Sequence, residues 1–119
     1  MSVTGIGGLF FRCPDPADLR AWYGERLGLR FADGGGAWFA WRDPETGRPG
    51  RTVFGPFPET TEYFDPGTKP FMVNYRVEDL GGLLDRLRGE GETVIDGGYE
   101  SRDGRFAWVI DPDGQKVEL

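Results

Sequence analysis

The chain of 119 residues repeats its own pattern once, and this repeat limits the folds open to it. Asp15 and Leu19 recur as Asp79 and Leu83, 64 positions later. In each half the pattern predicts a strand, a helix and three more strands, which is typical of a duplicated supersecondary unit. At roughly 50 residues neither unit buries a sheet face well alone. The two units must therefore associate, either within the chain or between chains.

The first unit is predicted over residues 5–55. Asp15 is a suitable helix cap, Pro16 suits a first helical turn, and Gly28 suits the stop. Leu19, Trp22, Tyr23 and Leu27 recur at helical spacing, so Trp22 is predicted to be a core residue. The strands are predicted at residues 8–13, 29–32, 37–42 and 51–54.

A proline-rich connector is predicted over residues 56–70, and its aromatic residues indicate that it packs on something. The second unit then covers residues 71–119. Its helix starts at the cap Asp79, and its strands are predicted at 71–77, 93–96, 105–110 and 115–119, with a turn at Gly97–Gly98. The chain as a whole, 1–119, is predicted to be a single α+β domain.

Composition excludes several classes of function. The sequence has no histidine, which removes Ser-His-Asp and Cys-His catalysis and every His-ligated metal site. The net charge of −6 disfavours nucleic acid and mildly favours a cationic or neutral ligand, although acidity also serves solubility alone. No stretch approaches the ~18 apolar residues of a membrane span. One cysteine, Cys13, makes no internal disulfide and fits a cytoplasmic setting.

Three stretches resemble the vicinal oxygen chelate superfamily of glyoxalases, bleomycin-resistance proteins and extradiol-type dioxygenases. They are residues 15–29, residues 74–80 and the terminal Asp111-Pro112-Asp113-Gly114 with Val117-Glu118-Leu119. The resemblance implies two βαβββ modules that form a curled, cup-shaped mixed sheet with helices on the outer face. It also implies a homodimer and a small-molecule ligand inside the cup.

In metal-using members the resemblance implies four ligand positions that face the cup. The first-strand ligand lies seven residues before the capping Asp, which gives Gly8 and Met72. The last-strand positions fall at Val53, or Thr52 with a different gap, and at Glu118. Glycine and valine offer no donor atom, and a thioether does not suit a hard dication. We therefore predict that the metal site is lost and that no cofactor is bound.

Strand alternation selects the side chains that face the cup together with Gly8 and Met72. The predicted ligand-binding residues are Phe10, Arg12, Met72, Asn74, Arg76 and Glu118, with Trp41 and Trp108 as stacking surfaces. Trp38 and Trp41 cannot both face the cup in a regular strand. Glu118 either contacts a ligand, or is solvated or paired with Arg12, Arg76 or Arg105. No catalytic residue is assigned.

These observations favour a small-molecule-binding protein that resembles bleomycin-resistance proteins. One alternative is a lyase, isomerase or dioxygenase of the glyoxalase type that uses Glu118, with or without a metal. Another is a non-catalytic interaction module whose cup is filled by its own side chains.

Overall fold

The structure, a computed structural model, describes residues 2–119 and contains seven strands and two helices in that range. The elements follow in the order β1 (Val3–Cys13), α1 (Pro16–Leu27), β2 (Ala37–Arg42), β3 (Pro49–Pro58), β4 (Phe71–Val77), α2 (Leu80–Gly89), β5 (Val94–Ser101), β6 (Gly104–Ile110) and β7 (Lys116–Glu118). Within these residues no helix is long and apolar enough to cross a membrane.

All seven strands form one mixed, open sheet in the order β2-β3-β1-β4-β7-β6-β5. In each half the first strand pairs in parallel with the last, β1 with β3 and β4 with β7. The two halves meet where β1 and β4 pair antiparallel. The halves thus associate within the chain, and the predicted α+β architecture of two related units is confirmed.

Both helices begin as their capping residues predict. The Asp15 carboxylate accepts a hydrogen bond from the Asp18 amide at 3.0 Å, and Asp79 does the same for Gly82 at 3.1 Å. Helix α1 ends at Gly28, whose φ of 74° is a left-handed conformation that glycine adopts at little cost. These boundaries depend on local backbone chemistry, which is why the sequence predicts them.

The prediction that Trp22 is a core residue is wrong. Helix α1 has no buried residue, and the Trp22 side chain is 51% exposed. Tyr23 makes the contact with the sheet instead, with its ring 5.1 Å from the ring of Phe54 on β3. Trp22 only packs edge-on against Tyr23. The helical spacing identified the apolar face, but two of its residues, Trp22 and Leu27, stay exposed in the part of the chain that the structure describes.

Several strand predictions also differ from the structure, and β1 begins at Val3 instead of residue 8. The predicted strand at 29–32 is reduced to an isolated bridge between Phe31 and Ala37. Strand β3 is longer than 51–54 and runs to Pro58, into the predicted connector. Gly97–Gly98 is not a turn, because β5 continues through it with a shift of pairing register between Ile95 and Tyr99. Gly97, at φ 91°, accommodates this irregularity.

The segment after β3 packs on the sheet, as its aromatic residues predict. Phe64 is 1% exposed and lies against Phe57, with ring centroids 5.4 Å apart. Met72, on β4, is also 1% exposed. Phe64 and Met72 are the two largest fully buried side chains of the described residues. The segment from residue 59 to residue 70 therefore covers part of one face of the sheet.

Candidate functional site

Strand pairing places four residues in one row across the middle of the sheet. Gly8 pairs with Val53 on one side and with Asn74 on the other, and Asn74 pairs with Glu118. Asn74 is therefore the counterpart of Gly8 in the second half. Counting back from the helix cap Asp79 gives Met72, which is two residues away from the correct position. The count fails because the two strands extend by different lengths beyond this row. Strand β1 continues from Gly8 to Cys13, whereas β4 continues from Asn74 only to Val77, which is two residues fewer.

This row does not fit the metal centre that the resemblance implies. Gly8 has no side chain and Val53 has no donor atom, so only Asn74 and Glu118 carry oxygens. Those two side chains already bond to each other, with Asn74 Nδ2 donating to Glu118 Oε1 at 3.0 Å. Among residues 2–119 no three His, Cys, Asp or Glu side chains come together to hold a metal ion.

Glu118 is 2% exposed, and its carboxylate is the centre of a hydrogen-bond cluster. Besides Asn74, Trp108 Nε1 donates to its Oε2 at 2.8 Å, and the Tyr63 hydroxyl donates to the same oxygen. A carboxylate has about four lone-pair positions, so three are occupied. We name Glu118, Asn74, Tyr63 and Trp108 the carboxylate cluster. The three donors carry no charge, and each is held in its orientation by its hydrogen bond to the buried Glu118 carboxylate.

None of the arginines considered as partners of Glu118 pairs with it. Arg12 Nη2 lies 3.3 Å from the Asp65 carboxylate, and Arg105 Nε lies 3.9 Å from that of Glu100. The guanidinium carbon of Arg76 lies 5.4 Å from the ring centroid of Trp41.

Lys116 supports the carboxylate cluster from beside it. Its ammonium donates to the backbone carbonyl of Tyr63 at 2.7 Å and lies 4.7 Å from the ring centroid of Trp108. Burial lowers the pKa of Lys116, and the charge of Glu118 opposes that shift. Lys116 therefore fixes the positions of Tyr63 and Trp108, whose polar atoms face the acid.

A hollow of about 670 Å³ lies beside the carboxylate cluster, within the usual range of small-molecule sites. Both edge strands contribute to it, with Trp38 from β2 and Tyr99 from β5, which requires the sheet to curl. Its aromatic lining residues are Phe10, Trp38, Phe57, Tyr63, Tyr75, Tyr99 and Phe106. The walls thus present flat apolar surfaces, while Glu118 and Asn74 contribute to the polar part of the lining.

Four of the eight predicted ligand-binding residues line this hollow, namely Phe10, Asn74, Arg76 and Glu118. Trp108 lies next to it, where its indole is bound to Glu118 and packs 5.7 Å from Tyr99. Contact of these side chains with a bound molecule stays a prediction.

The other three residues lie elsewhere. Met72 is buried, and Arg12 pairs with Asp65 beside the ring of Phe64. Trp41 bonds Thr52 through its indole N–H at 2.8 Å, so Trp38, and not Trp41, lines the hollow.

Sequence reasoning missed Tyr63 as a site residue. It lies in the segment between the halves, where no strand or helical period indicates its direction. Its ring stacks on Phe57 with centroids 5.5 Å apart, and this contact aims the hydroxyl at Glu118. The available signal was the cluster of aromatic residues in a proline-rich segment, which predicted packing but not chemistry.

The ionisation of Tyr63 provides a test of the cluster. Burial, and then the hydrogen bond to Glu118, raise the pKa of Tyr63 well above its usual value near 10. At pH values below about 10, Tyr63 is protonated in both the folded and the unfolded state, and its contribution to stability is complete. Above that pH the unfolded chain ionises first, so stability falls as pH rises toward the higher folded pKa.

We expect Tyr63→Phe to remove part of this alkaline loss of stability, measured by urea unfolding between pH 8 and about pH 11. Lys116 has the opposite dependence, because its pKa is lowered, and it is unchanged in the variant. Tyr23→Phe is a matched control outside the cluster. Equal alkaline slopes for the wild type and Tyr63→Phe would contradict the described environment of Tyr63.

Comparison with known proteins gives a family match over most of the chain. A family model described as a glyoxalase-like domain matches residues 8–119. No curated protein matches the sequence.

Solved structures share the fold. Methylmalonyl-CoA epimerase from Streptomyces coelicolor, in complex with 2-nitronate-propionyl-CoA, aligns with a TM-score of 0.68 at 18% identity over 99% of this chain and 96% of that one. The epimerase from Mycobacterium tuberculosis gives 0.58 at 20% identity, over 98% and 87%. A glyoxalase/bleomycin resistance protein/dioxygenase superfamily member from Vibrio splendidus 12B01 gives 0.60 at 12% identity, over 95% and 94%. At these identities the likeness concerns the fold alone.

Proposed function

The chain belongs to the glyoxalase-like domain family, and on that premise we propose that it binds a small planar molecule in the aromatic hollow without a metal ion. The hollow itself carries this proposal. The hollow has a volume of about 670 Å³ that no side chain fills. The alternative of a non-catalytic interaction module would instead require the cup to be filled by its own side chains. Its flat aromatic walls suit a planar ligand.

The carboxylate cluster supports binding over catalysis by Glu118. A general base must reach the proton that it removes. Glu118 is 2% exposed and accepts three hydrogen bonds, so it acts as a fixed anchor for its donors. Binding without catalysis, as in a bleomycin-resistance-like role, is the form of the proposal that this arrangement supports. A cytoplasmic location belongs to the same proposal.

Tryptophan fluorescence tests the proposal. Trp38 lines the hollow and is 44% exposed, so a bound aromatic molecule is expected to quench or shift its emission. We would titrate aromatic metabolites and cationic glycopeptides, and repeat each titration with Trp38→Phe and with Trp22→Phe. The response should weaken in the first variant, where Trp108 beside the hollow remains as a second reporter, and persist in full in the second, since Trp22 lies on α1 outside the hollow. A flat response from the wild type to all compounds would contradict the proposal.

Metal analysis tests the other half of the proposal. The protein should be purified without a histidine tag and analysed for iron, manganese, nickel and zinc. We expect less than about one-tenth of an equivalent of each, because the row at Gly8 supplies too few donors. A stoichiometric metal would overturn the assignment and favour an enzyme of the glyoxalase type.

We also propose that the protein is a homodimer, because the chain exposes more surface than its mass predicts. A compact monomer of 13.3 kDa exposes about 6,450 Å², whereas this chain exposes 7832 Å². The excess of about 1,400 Å² exceeds the ~800 Å² that each partner buries in a standard interface. The radius of gyration, 15.3 Å, also exceeds the ~13.5 Å of a compact chain of this length.

The proposed dimer surface is the apolar patch formed by Leu9, Phe71 and Trp22, which are 40%, 43% and 51% exposed. Leu9 pairs with Phe54 in the sheet and so shares the helix-bearing face, opposite the hollow. Light scattering should give twice the chain mass of 13.3 kDa.

We expect Phe71→Glu to shift the protein to monomer, because a charge would be buried in the interface. Thr60→Glu, on the exposed segment between the halves, is the matched control and should leave the dimer intact. A monomeric wild type at about 100 μM would contradict the dimer, since stable homodimers associate far below that concentration.

A further inference from the structure

Two arginines flank the central strand on the hollow side of the sheet. Val53 and Asn74 both pair with Gly8, from strands on opposite sides of β1. Arg51 precedes Val53 by two residues on the parallel strand, and Arg76 follows Asn74 by two on the antiparallel one. Both therefore lie toward the start of β1, on one face, and both line the hollow. Two strand spacings separate their backbones by about 10 Å, which two arginine side chains can span together.

Neither guanidinium is neutralised within the described residues. Arg51 and Arg76 form no ion pair, in contrast to Arg12 and Arg105. The guanidinium carbon of Arg51 lies 4.5 Å from the ring centroid of Trp38, and that of Arg76 lies 5.4 Å from that of Trp41. Stacking of this kind uses the flat face of the guanidinium. The N–H groups along its edge remain able to bind a carboxylate through two hydrogen bonds.

The strand between the two arginines is covered by side chains of the neighbouring strands. It carries Gly5, Gly7 and Gly8 in this stretch, so no side chain rises from it into the hollow. A Cβ at Gly7 would collide with the Asn74 amide, and one at Gly5 would lie 3.0 Å from the Trp41 ring. Glycine is therefore required here by the side chains that pack over the strand.

The charge of the hollow opposes that of the whole protein. The chain carries a net charge of −6, but Arg51, Arg76 and Arg105 line the hollow against Asp103 and Glu118. The Glu118 carboxylate is already bound by three donors, so it offers little to a cationic ligand. Among the described residues, the unpaired cationic groups that face a ligand are Arg51 and Arg76, and each is able to bind an anion. This reverses the expectation, based on net charge, of a cationic or neutral molecule.

We infer that Arg51 and Arg76 bind the carboxylate of a planar organic acid whose ring stacks on the aromatic wall of the hollow. The inference rests on the proposed binding function and specifies the ligand class of the same site. The two guanidiniums approach the carboxylate from either side of β1, and the exposed ring of Trp38 supplies an adjacent stacking surface.

Calorimetric titration with three probes that share one ring system tests this inference: naphthoate, naphthylmethanol and naphthylmethylammonium. We expect naphthoate to bind the wild type at least about tenfold more tightly than the alcohol, and the ammonium probe to bind more weakly still. Arg51→Gln and Arg76→Gln should each weaken naphthoate binding by about five- to tenfold and change binding of the alcohol by less than about twofold. Arg48→Gln, in the neighbouring β2–β3 turn and outside the hollow, is the matched control.

The outcomes separate the inference from the proposed function. If the alcohol binds as tightly as naphthoate, or if the double Arg51→Gln, Arg76→Gln variant keeps its naphthoate affinity, the inference is wrong and the binding function stands. If none of the probes binds to the wild type, both fail. Raising the salt concentration should weaken naphthoate binding alone. Circular dichroism melting curves would establish that each variant is folded.

Discussion

Replacement of Phe64 by alanine is expected to lower the free energy of unfolding by about 3–4 kcal/mol. The ring is 1% exposed and packs against Phe57 and Tyr63, with the Arg12 guanidinium 5.3 Å from its centroid. Removing it leaves a cavity between the sheet and the covering segment, and the neighbouring aromatic rings can close only part of that cavity. Urea unfolding followed by circular dichroism measures the loss.

Phe39→Ala is the matched control for this prediction. Phe39 lies on the edge strand β2 and is 48% exposed, so the same truncation should cost less than about 1 kcal/mol. Phe64→Leu should recover part of the loss, because a smaller cavity remains. If Phe64→Ala unfolds within about 1 kcal/mol of the wild type, the covering segment does not pack on the sheet as described.

Glu118→Ala is expected to destabilise the protein by about 3 kcal/mol, because it leaves three donors without their shared acceptor. The indole N–H of Trp108 and the amide of Asn74 lose bonds of 2.8 Å and 3.0 Å, and the Tyr63 hydroxyl loses its partner as well. The rings around the hollow should also lose their fixed orientation. Near-ultraviolet circular dichroism, which reports on ordered aromatic rings, should weaken along with stability.

Glu118→Gln distinguishes loss of the charge from loss of the acceptor. Its amide oxygen can accept from Trp108 and Tyr63, and its NH₂ group can donate to Asn74 once the Asn74 amide rotates. We therefore expect a smaller cost, about 1–1.5 kcal/mol. Glu92→Gln, at an exposed position, should change stability by less than about 0.5 kcal/mol. Equal losses for Glu118→Ala and Glu118→Gln would contradict the hydrogen-bonded cluster.

Sequence patterns predicted the parts of the fold that depend on nearby residues. Asp15, Pro16 and Gly28 define α1 through their own backbone preferences, and the structure agrees at each of them. Gly97 was wrongly predicted to lie in a turn, because a glycine is equally compatible with an irregular strand, and only the pairing with β6 shows that it lies in one. Trp22 was misplaced because periodicity identifies an apolar face but not the partner that covers it.

The site was predictable only as far as strand alternation extends. Alternation placed Phe10, Asn74 and Arg76 on the hollow side of the sheet correctly. The row of Gly8, Val53, Asn74 and Glu118 could be identified only from the strand pairing. Counting from Asp79 led to Met72 and missed Asn74 by two positions. Tyr63 and the ion pair of Arg12 with Asp65 depend on an irregular segment, whose path has no period in the sequence.

The segment that carries Phe64 also breaks the symmetry between the two halves of the sheet. A sheet assembled from two similar halves has an approximate twofold axis between β1 and β4. If the halves were identical, the sheet would present two equivalent binding sites, one at each end of these two strands. Phe64 and its neighbours occupy the end near Arg12 and Met72, while the glycine-rich end beside Arg76 stays open. The two ends that duplication produced are therefore no longer equivalent, because the segment with Phe64 packs over one of them and the hollow opens at the other.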